Sequence, residues 1–200
     1  DFLMMANKEV ADYLDSFAVA QDHQATLRKM EEFALQAEFP IVGPAVGCLL
    51  HILAQSIQAK RVFEFGSGYG YSAYWFAKAV GKTGQVICTE SSEENASLAA
   101  DYLSQLGVAK MIDYHLGMAQ DVFAETAGDF DIIYNDVDKE QYPGVFSACW
   151  QRIRSGGFYI ADNALWSGRV VAKNIDEDKL SSTNSILEHN KMIFSHPEFD

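Results

Sequence analysis

The stretch Arg61-Val62-Phe63-Glu64-Phe65-Gly66-Ser67-Gly68-Tyr69-Gly70-Tyr71-Ser72 decides the fold. Val62, Phe63 and Phe65 suit a short buried strand, and three alternate glycines then end it. Glycine tolerates positive φ and lets a ligand approach the backbone without meeting a Cβ. A helix is expected to start near Tyr71, and the free amides at its start form a polar cradle. An ordinary tight strand-to-helix turn would read the same way. The spacing does not suit a dinucleotide fingerprint, because G-x-G-x-x-G needs glycine where Tyr71 stands. No Gly-Lys-Ser/Thr follows, so a Walker A loop is excluded. The strand carries an acid, Glu64, which a phosphate loop would avoid. A cationic or zwitterionic cofactor fits better, and S-adenosylmethionine (SAM), with an ammonium, a carboxylate and a sulfonium, matches that description.

Outward from this turn, strands and helices alternate. Before it, Asn7 to Val19 and Gln21 to Glu38 read as amphipathic helices, an N-terminal cap over residues 1–38, and Ala45 to Ile57 as a third helix. After it come a helix from Tyr71 to Val80, a strand from Gln85 to Glu90 and a helix from Glu93 to Leu106. A strand from Met111 to Leu116, a helix from Met118 to Thr126 and a strand from Phe130 to Asp136 follow. A helix from Lys139 to Arg154 and a strand from Gly157 to Asp162 complete the pattern. Such alternation with short turns predicts an α/β fold, a doubly wound and mostly parallel sheet with extra N-terminal helices, in one domain spanning 1–200. The acidic run Asp176-Glu177-Asp178 is expected to be a solvated loop.

Composition bounds the function. With 48% hydrophobic residues among 200, the chain can bury a sizeable core. A net charge of −13 opposes binding to a nucleic-acid backbone. No apolar run approaches the roughly 20 residues of a membrane span. Cys48, Cys88 and Cys149 are scattered in apolar segments, as reduced core cysteines are, and the expected location is the cytoplasm.

In a doubly wound sheet, ligands bind outside the carboxyl ends of the strands. Those ends carry Glu64 and Gly66, Glu90, Gly117, Asp136, and Asp162 with Asn163. Glu90, 24 residues after Gly66, can take the two vicinal hydroxyls of a ribose, or be a solvated turn residue. Asp136, Asp162 and Asn163 offer oxygen donors, the ligand set of Mg²⁺ or Ca²⁺ rather than of structural zinc. Capping and turn roles are the structural alternative for the same three.

With these residues in hand, the chain resembles the cation-dependent O-methyltransferases of the caffeoyl-CoA and catechol type, class I SAM-dependent enzymes. The resemblance rests on Phe63–Ser72, on Gly117-Met-Ala-Gln-Asp121, on Phe130-Asp-Ile-Ile-Tyr-Asn-Asp-Val-Asp-Lys139 and on Asp162-Asn-Ala-Leu-Trp-Ser-Gly168. It implies SAM near Val42, Glu64, Gly66, Ser72, Glu90 and Ala119, with Gly68, Tyr71, Gly117 and Asp136 completing the cofactor set. It implies a divalent cation (Mg²⁺ first, Ca²⁺ or Mn²⁺ otherwise) at Asp136, Asp162 and Asn163. Lys139 and Asp136 are then the catalytic residues, and Trp166 and Tyr142 candidate walls for the acceptor. It also suggests a homodimer. The implied reaction is methyl transfer to a hydroxyl of a catechol-type small molecule. A vicinal enol-diol acceptor and a non-catalytic SAM-binding subunit are the alternatives. Three features depart from the family. Asn135 stands where an apolar residue is usual. Ser67 and Gly68 alter the glycine turn. The family's Pro-x-Gly-Asp-Gly segment and two antiparallel edge strands are missing, so either the sequence is a piece or the sheet ends at strand five.

Overall fold

The computed structural model describes Glu9, Val10, Tyr13 and residues 24–199. Most of the expected Asn7–Val19 helix therefore lies outside the described residues. The elements are helix α1 (Gln24–Ala37), α2 (Gly43–Ser56), strand β1 (Arg61–Phe65), α3 (Tyr71–Val80), β2 (Gln85–Glu90) and α4 (Glu93–Gln105). They continue with β3 (Ile112–Leu116), α5 (Ala119–Glu125), β4 (Phe130–Asn135), α6 (Tyr142–Cys149), β5 (Ile153–Ala161) and α7 (Glu177–Phe194).

The five strands form one sheet in the order β3-β2-β1-β4-β5, and every pairing is parallel. β1 lies at the centre, between the half that grows through β2 to β3 and the half that grows through β4 to β5. Strand order reverses there, which opens a crevice at the carboxyl ends of β1 and β4. Alternate side chains of the strands feed two cores. Val62, Val86, Cys88, Ile132 and Tyr134 pack on the α2, α3 and α4 side. Phe63, Phe65, Ile87, Ile133 and Phe130 pack on the α5 and α6 side, with Phe123, Val145 and Cys149. Burial on both faces of β1, β2 and β4 explains why these central strands read as largely apolar runs.

Three regions differ from the sequence-based expectation. β5 begins at Ile153 rather than Gly157 and ends at Ala161 rather than Asp162. The Lys139–Arg154 helix is three pieces: a 3₁₀ turn at Lys139–Gln141, then α6, then a 3₁₀ turn at Trp150–Arg152. Pro143 lies in the first turn of α6, where its missing N–H costs nothing, and so marks the true start. The acidic run at 176–178 is not a loop. Glu177 and Asp178 form the first turn of α7, where carboxylates complement the helix dipole. Thr183, Ile186 and His189 recur every third residue along it and are buried. Among the described residues no helix is long and apolar enough to cross a membrane.

Candidate functional site

The glycine turn is held from three sides. The Thr89 hydroxyl donates to the Glu64 carbonyl at 2.9 Å and accepts from the Gly66 amide at 3.2 Å. The Tyr114 hydroxyl donates to the Gly68 carbonyl. The Tyr69 hydroxyl donates to the Met30 carbonyl on α1 at 2.9 Å, and Tyr71 to the Glu31 carboxylate at 2.7 Å. Gly66 has φ +82°, and a Cβ there would stand 2.6 Å from the Asp136 carbonyl oxygen. The turn is therefore packed directly against the end of β4, which brings cofactor-type and metal-type residues to one place.

Three backbone hydrogen bonds carry the strand ends forward in line. The Asp136 amide donates to Phe65 at 2.9 Å, the Gly117 amide to Glu90 at 2.8 Å, and the Asp162 amide to Asn135 at 3.1 Å. A cleft of about 660 Å³ opens over them. Of the cofactor set, Val42, Gly66, Gly68, Tyr71, Ser72, Glu90, Gly117, Ala119 and Asp136 line it. Glu64 does not. It is fully buried beneath the floor, accepting hydrogen bonds from the Ser72 hydroxyl and, at 3.5 Å, from the Cys88 thiol. Burial, first of all, pushes its carboxyl up to about 7, against the lowering effect of those donors. The Glu90 carboxylate accepts the Ser91 and Ser92 amides, each at 2.8 Å. Both bonds use one of its oxygens, Oε1.

At the other end of the cleft stand Asp136, Lys139, Asp162, Asn163 and Trp166. The Lys139 ammonium donates to Asp136 Oδ1 at 3.2 Å, to the Val137 carbonyl at 3.3 Å and to the Tyr142 hydroxyl at 3.0 Å. The Tyr142 hydroxyl in turn donates to the Asp162 carbonyl at 3.1 Å. Tyr142 is fully buried and is not a wall of the cleft; it joins the lysine to the end of β5 from below. Burial and then the charge of Asp162 push the Asp136 carboxyl up to about 7, while Lys139 pulls it down. Two carboxylates thus share a poorly solvated corner, with one ammonium touching Asp136. Among the described residues, no three His, Cys, Asp or Glu side chains gather as a metal site. The expected set holds two aspartates and an amide.

The loop after β5 is wound left-handed. Asn163, Trp166 and Ser167 have φ near 50° (51°, 47° and 52°). Such geometry is tolerated by Asn but is an outlier for Trp, and it persists only where the surroundings enforce it. Here Asn190 on α7 donates to the Ala164 carbonyl at 2.7 Å. Trp166 Nε1 is buried with no hydrogen-bond partner among the described residues.

The sequence reading missed Thr89, Asn95 and Ser182, which also line the cleft. Thr89 was visible as the residue before Glu90. Ser182 is hidden because it lies on a helix that the acidic run at 176–178, which reads as a loop, does not announce.

A family model described as O-methyltransferase matches residues 15–200. The chain belongs to the O-methyltransferase family. A relative named catechol O-methyltransferase, from Niastella koreensis, is 32% identical over 92% of this chain and 87% of its own. An Arabidopsis thaliana relative named caffeoyl-CoA O-methyltransferase 1 is 26% identical over 84% of this chain and 68% of its own. A Streptomyces achromogenes O-methyltransferase involved in tomaymycin synthesis was solved in complex with SAM. It is 27% identical, has a TM-score of 0.82, and covers 94% of this chain and 85% of its own. The fold is the Rossmann-like one of class I O-methyltransferases, and the chain is an enzyme of that group.

Proposed function

We propose that this O-methyltransferase transfers the methyl group of SAM to a hydroxyl of a catechol-type small molecule, in a reaction that needs a divalent cation. The observation behind this reading is the Lys139 ammonium, held between Asp136 and Tyr142 on the rim that also carries the glycine turn. The relative named for catechol supports it.

SAM supplies an electrophilic methyl on a sulfonium. Residues of the glycine turn line the space for it, and Glu90, with one oxygen fixed by two amides, keeps the other for a ribose hydroxyl. Asp136, Asp162 and Asn163 would hold the metal. Their fit rests on the donor set, two carboxylates and an amide, and on the burial and then the Asp162 charge that lift the Asp136 carboxyl, a cost that an added positive charge would relieve. A divalent cation there would stabilise a catecholate whose free hydroxyl, with pKa about 10, stays protonated at neutral pH. Lys139 reaches the same space, where it stabilises the phenolate or takes its proton. Trp166 flanks the acceptor end. Positioning of this kind replaces a two-body encounter by a held one.

We also infer a homodimer. Val46, Leu49 and Ile52 recur every third residue on α2 and are 38%, 51% and 55% exposed, an apolar stripe suited to a second copy. Cys48, Cys88 and Cys149 are free, which suits the cytoplasm.

The deciding experiment measures methyl transfer to a panel of catechols with and without EDTA, beside calorimetric SAM affinity of wild type and Asp136→Ala. Expected are loss of turnover in EDTA and in the variant, with SAM affinity kept. Turnover that survives EDTA sinks the metal. SAM binding with no turnover of any catechol leaves an enol-diol acceptor.

A further inference from the structure

Among the described residues, five carboxylates line the cleft, Glu90, Asp136, Asp138, Glu140 and Asp162, against one ammonium, Lys139. Three of them already have work on the reading above, Glu90 with the cofactor's ribose and Asp136 and Asp162 with the metal. Asp138 and Glu140 do not. Both are exposed, and they flank Lys139 in sequence at the acceptor end. Glu140 is also held in place. The Ser182 hydroxyl, from α7, donates to its Oε1 at 2.6 Å. That bond, first, keeps the carboxyl below the usual range, so it is ionised at neutral pH.

The cations nearby do not cancel this. Lys139 is drawn inward to Asp136 and Tyr142. Lys179 pairs with Asp178 at 3.1 Å, although its charge reaches Glu140. Arg169 donates to the Trp166 carbonyl at 3.3 Å and lies over that indole. The first 23 residues cannot supply a basic patch either, with one lysine against five acids. Lys60, Arg61, Arg152 and Arg154 sit where β1 and β5 begin, at the opposite end of the sheet, and among the described residues no Lys or Arg other than Lys139 lines the cleft.

We propose that Glu140, fixed by Ser182 at the mouth of the cleft, is a specificity-determining residue that selects catechols carrying a cationic tail over anionic ones. Resting on the catechol reading above, this deepens it. A nucleotide-carrier thioester, with its several phosphates, is the acceptor class such a mouth rejects most strongly. An ammonium two or three bonds beyond the ring meets a carboxylate already oriented, so the acceptor is both attracted and aligned.

Three matched acceptors test it: 3,4-dihydroxyphenethylamine, 4-ethylcatechol and 3,4-dihydroxyphenylacetate, with one caffeoyl-carrier thioester as the polyanion. They share the ring and differ in the charge of a short tail. An exposed ion pair is worth up to roughly fivefold in an equilibrium constant, and exchanging amine for carboxylate turns attraction into repulsion. The amine should therefore exceed the acid roughly tenfold in kcat/KM at low salt. The preference should shrink as salt screens it. In Glu140→Gln the amine-to-acid ratio should fall by roughly threefold or more, and in Glu140→Lys it should invert. A general loss of folding would lower all acceptors together and leave the ratio alone. An unchanged ratio in both variants overturns the proposal, as does a wild-type preference for the acid or the thioester. No turnover of any catechol overturns the catechol reading and this inference with it. Turnover of all three at equal rates overturns only this inference.

Discussion

Side chains at the cleft were legible where sequence position alone decides orientation. Residues that follow the end of a parallel strand must enter the crevice, so Glu90, Asp136, Asp162 and Asn163 could be named from spacing. Tyr142 and Glu64 could not be placed so well. Tyr142 looked like a wall because it is aromatic and close in sequence to Lys139, but the first turn of α6 rotates it inward. Glu64 sits inside β1, one residue before the strand ends, so it points into the core and reaches the cleft only through Ser72. Its buried carboxyl makes a prediction. With a pKa raised to about 7, the folded state holds the proton more tightly than the unfolded chain does. The stabilisation is therefore complete below the unfolded value near 4.5 and is lost as pH rises through 7. At ~1.4 kcal/mol per pH unit the loss amounts to about 3 kcal/mol by pH 8. Asp136 adds a loss of the same sign. Urea unfolding of the ligand-free protein at pH 5 and pH 8 should show it, and Glu64→Gln should flatten part of that slope. An equal slope in the variant would mean that Glu64 is not the titrating group.

Elements read well wherever two apolar faces or a glycine boundary fixed them. The bounds of α3 and β2 coincide with the sequence reading, because glycines at 70, 81 and 84 punctuate both. β5 begins four residues before the expected Gly157, because Gly156 reads as a boundary although it sits within the strand, near an irregular register opposite Phe130 and Ile132. The helix α7 was missed because an acidic triad looks solvated, whereas at a helix start it complements the dipole. That helix matters to the site. It supplies Ser182 to the mouth, His189 to the Tyr159 hydroxyl at 2.9 Å, and Asn190 to the loop of Asn163 and Trp166. Tyr159 accepts in turn from Asn135 at 2.9 Å, which gives a role to the amide found where an apolar residue was expected. Asn190→Ala should leave SAM affinity near wild type and raise the Mg²⁺ concentration that half-saturates turnover. The expected rise is roughly five- to tenfold, the worth of one hydrogen bond of ~1 kcal/mol or slightly more. Titration of turnover with Mg²⁺, beside calorimetry with SAM, measures both. A change in SAM affinity of the same size would mean that α7 supports the whole cleft and not this loop.

Across the whole molecule, charge is sorted along the strands. Asp131 at the beginning of β4 accepts the Lys60 and Arg61 amides at 2.7 and 2.8 Å and pairs with Arg154, while the opposite strand ends gather acids. This polarity lay in the sequence as the placement of acids at strand ends. The surface of α2 was less legible, because the apolar residues of that helix form two faces at once. Leu50 and Ala54 go inward against the core, and Val46, Leu49 and Ile52 stay outside. One large exposed apolar residue is ordinary; three in a row on one helix face suggest contact with another copy. If α2 is the interface, Leu49→Glu places two like charges near a twofold axis, where the same residue meets its own neighbourhood. Burying an unpaired charge there costs several kcal/mol, so the dimer should dissociate at micromolar concentration. Sedimentation velocity from about 1 to 100 μM, a range that brackets a micromolar constant, compares wild type with the variant. The wild type should sediment as a dimer across it and Leu49→Glu as a monomer with its fold intact by circular dichroism. A wild type that is monomeric throughout, or a variant that stays dimeric, would remove α2 from the interface and leave its stripe unexplained.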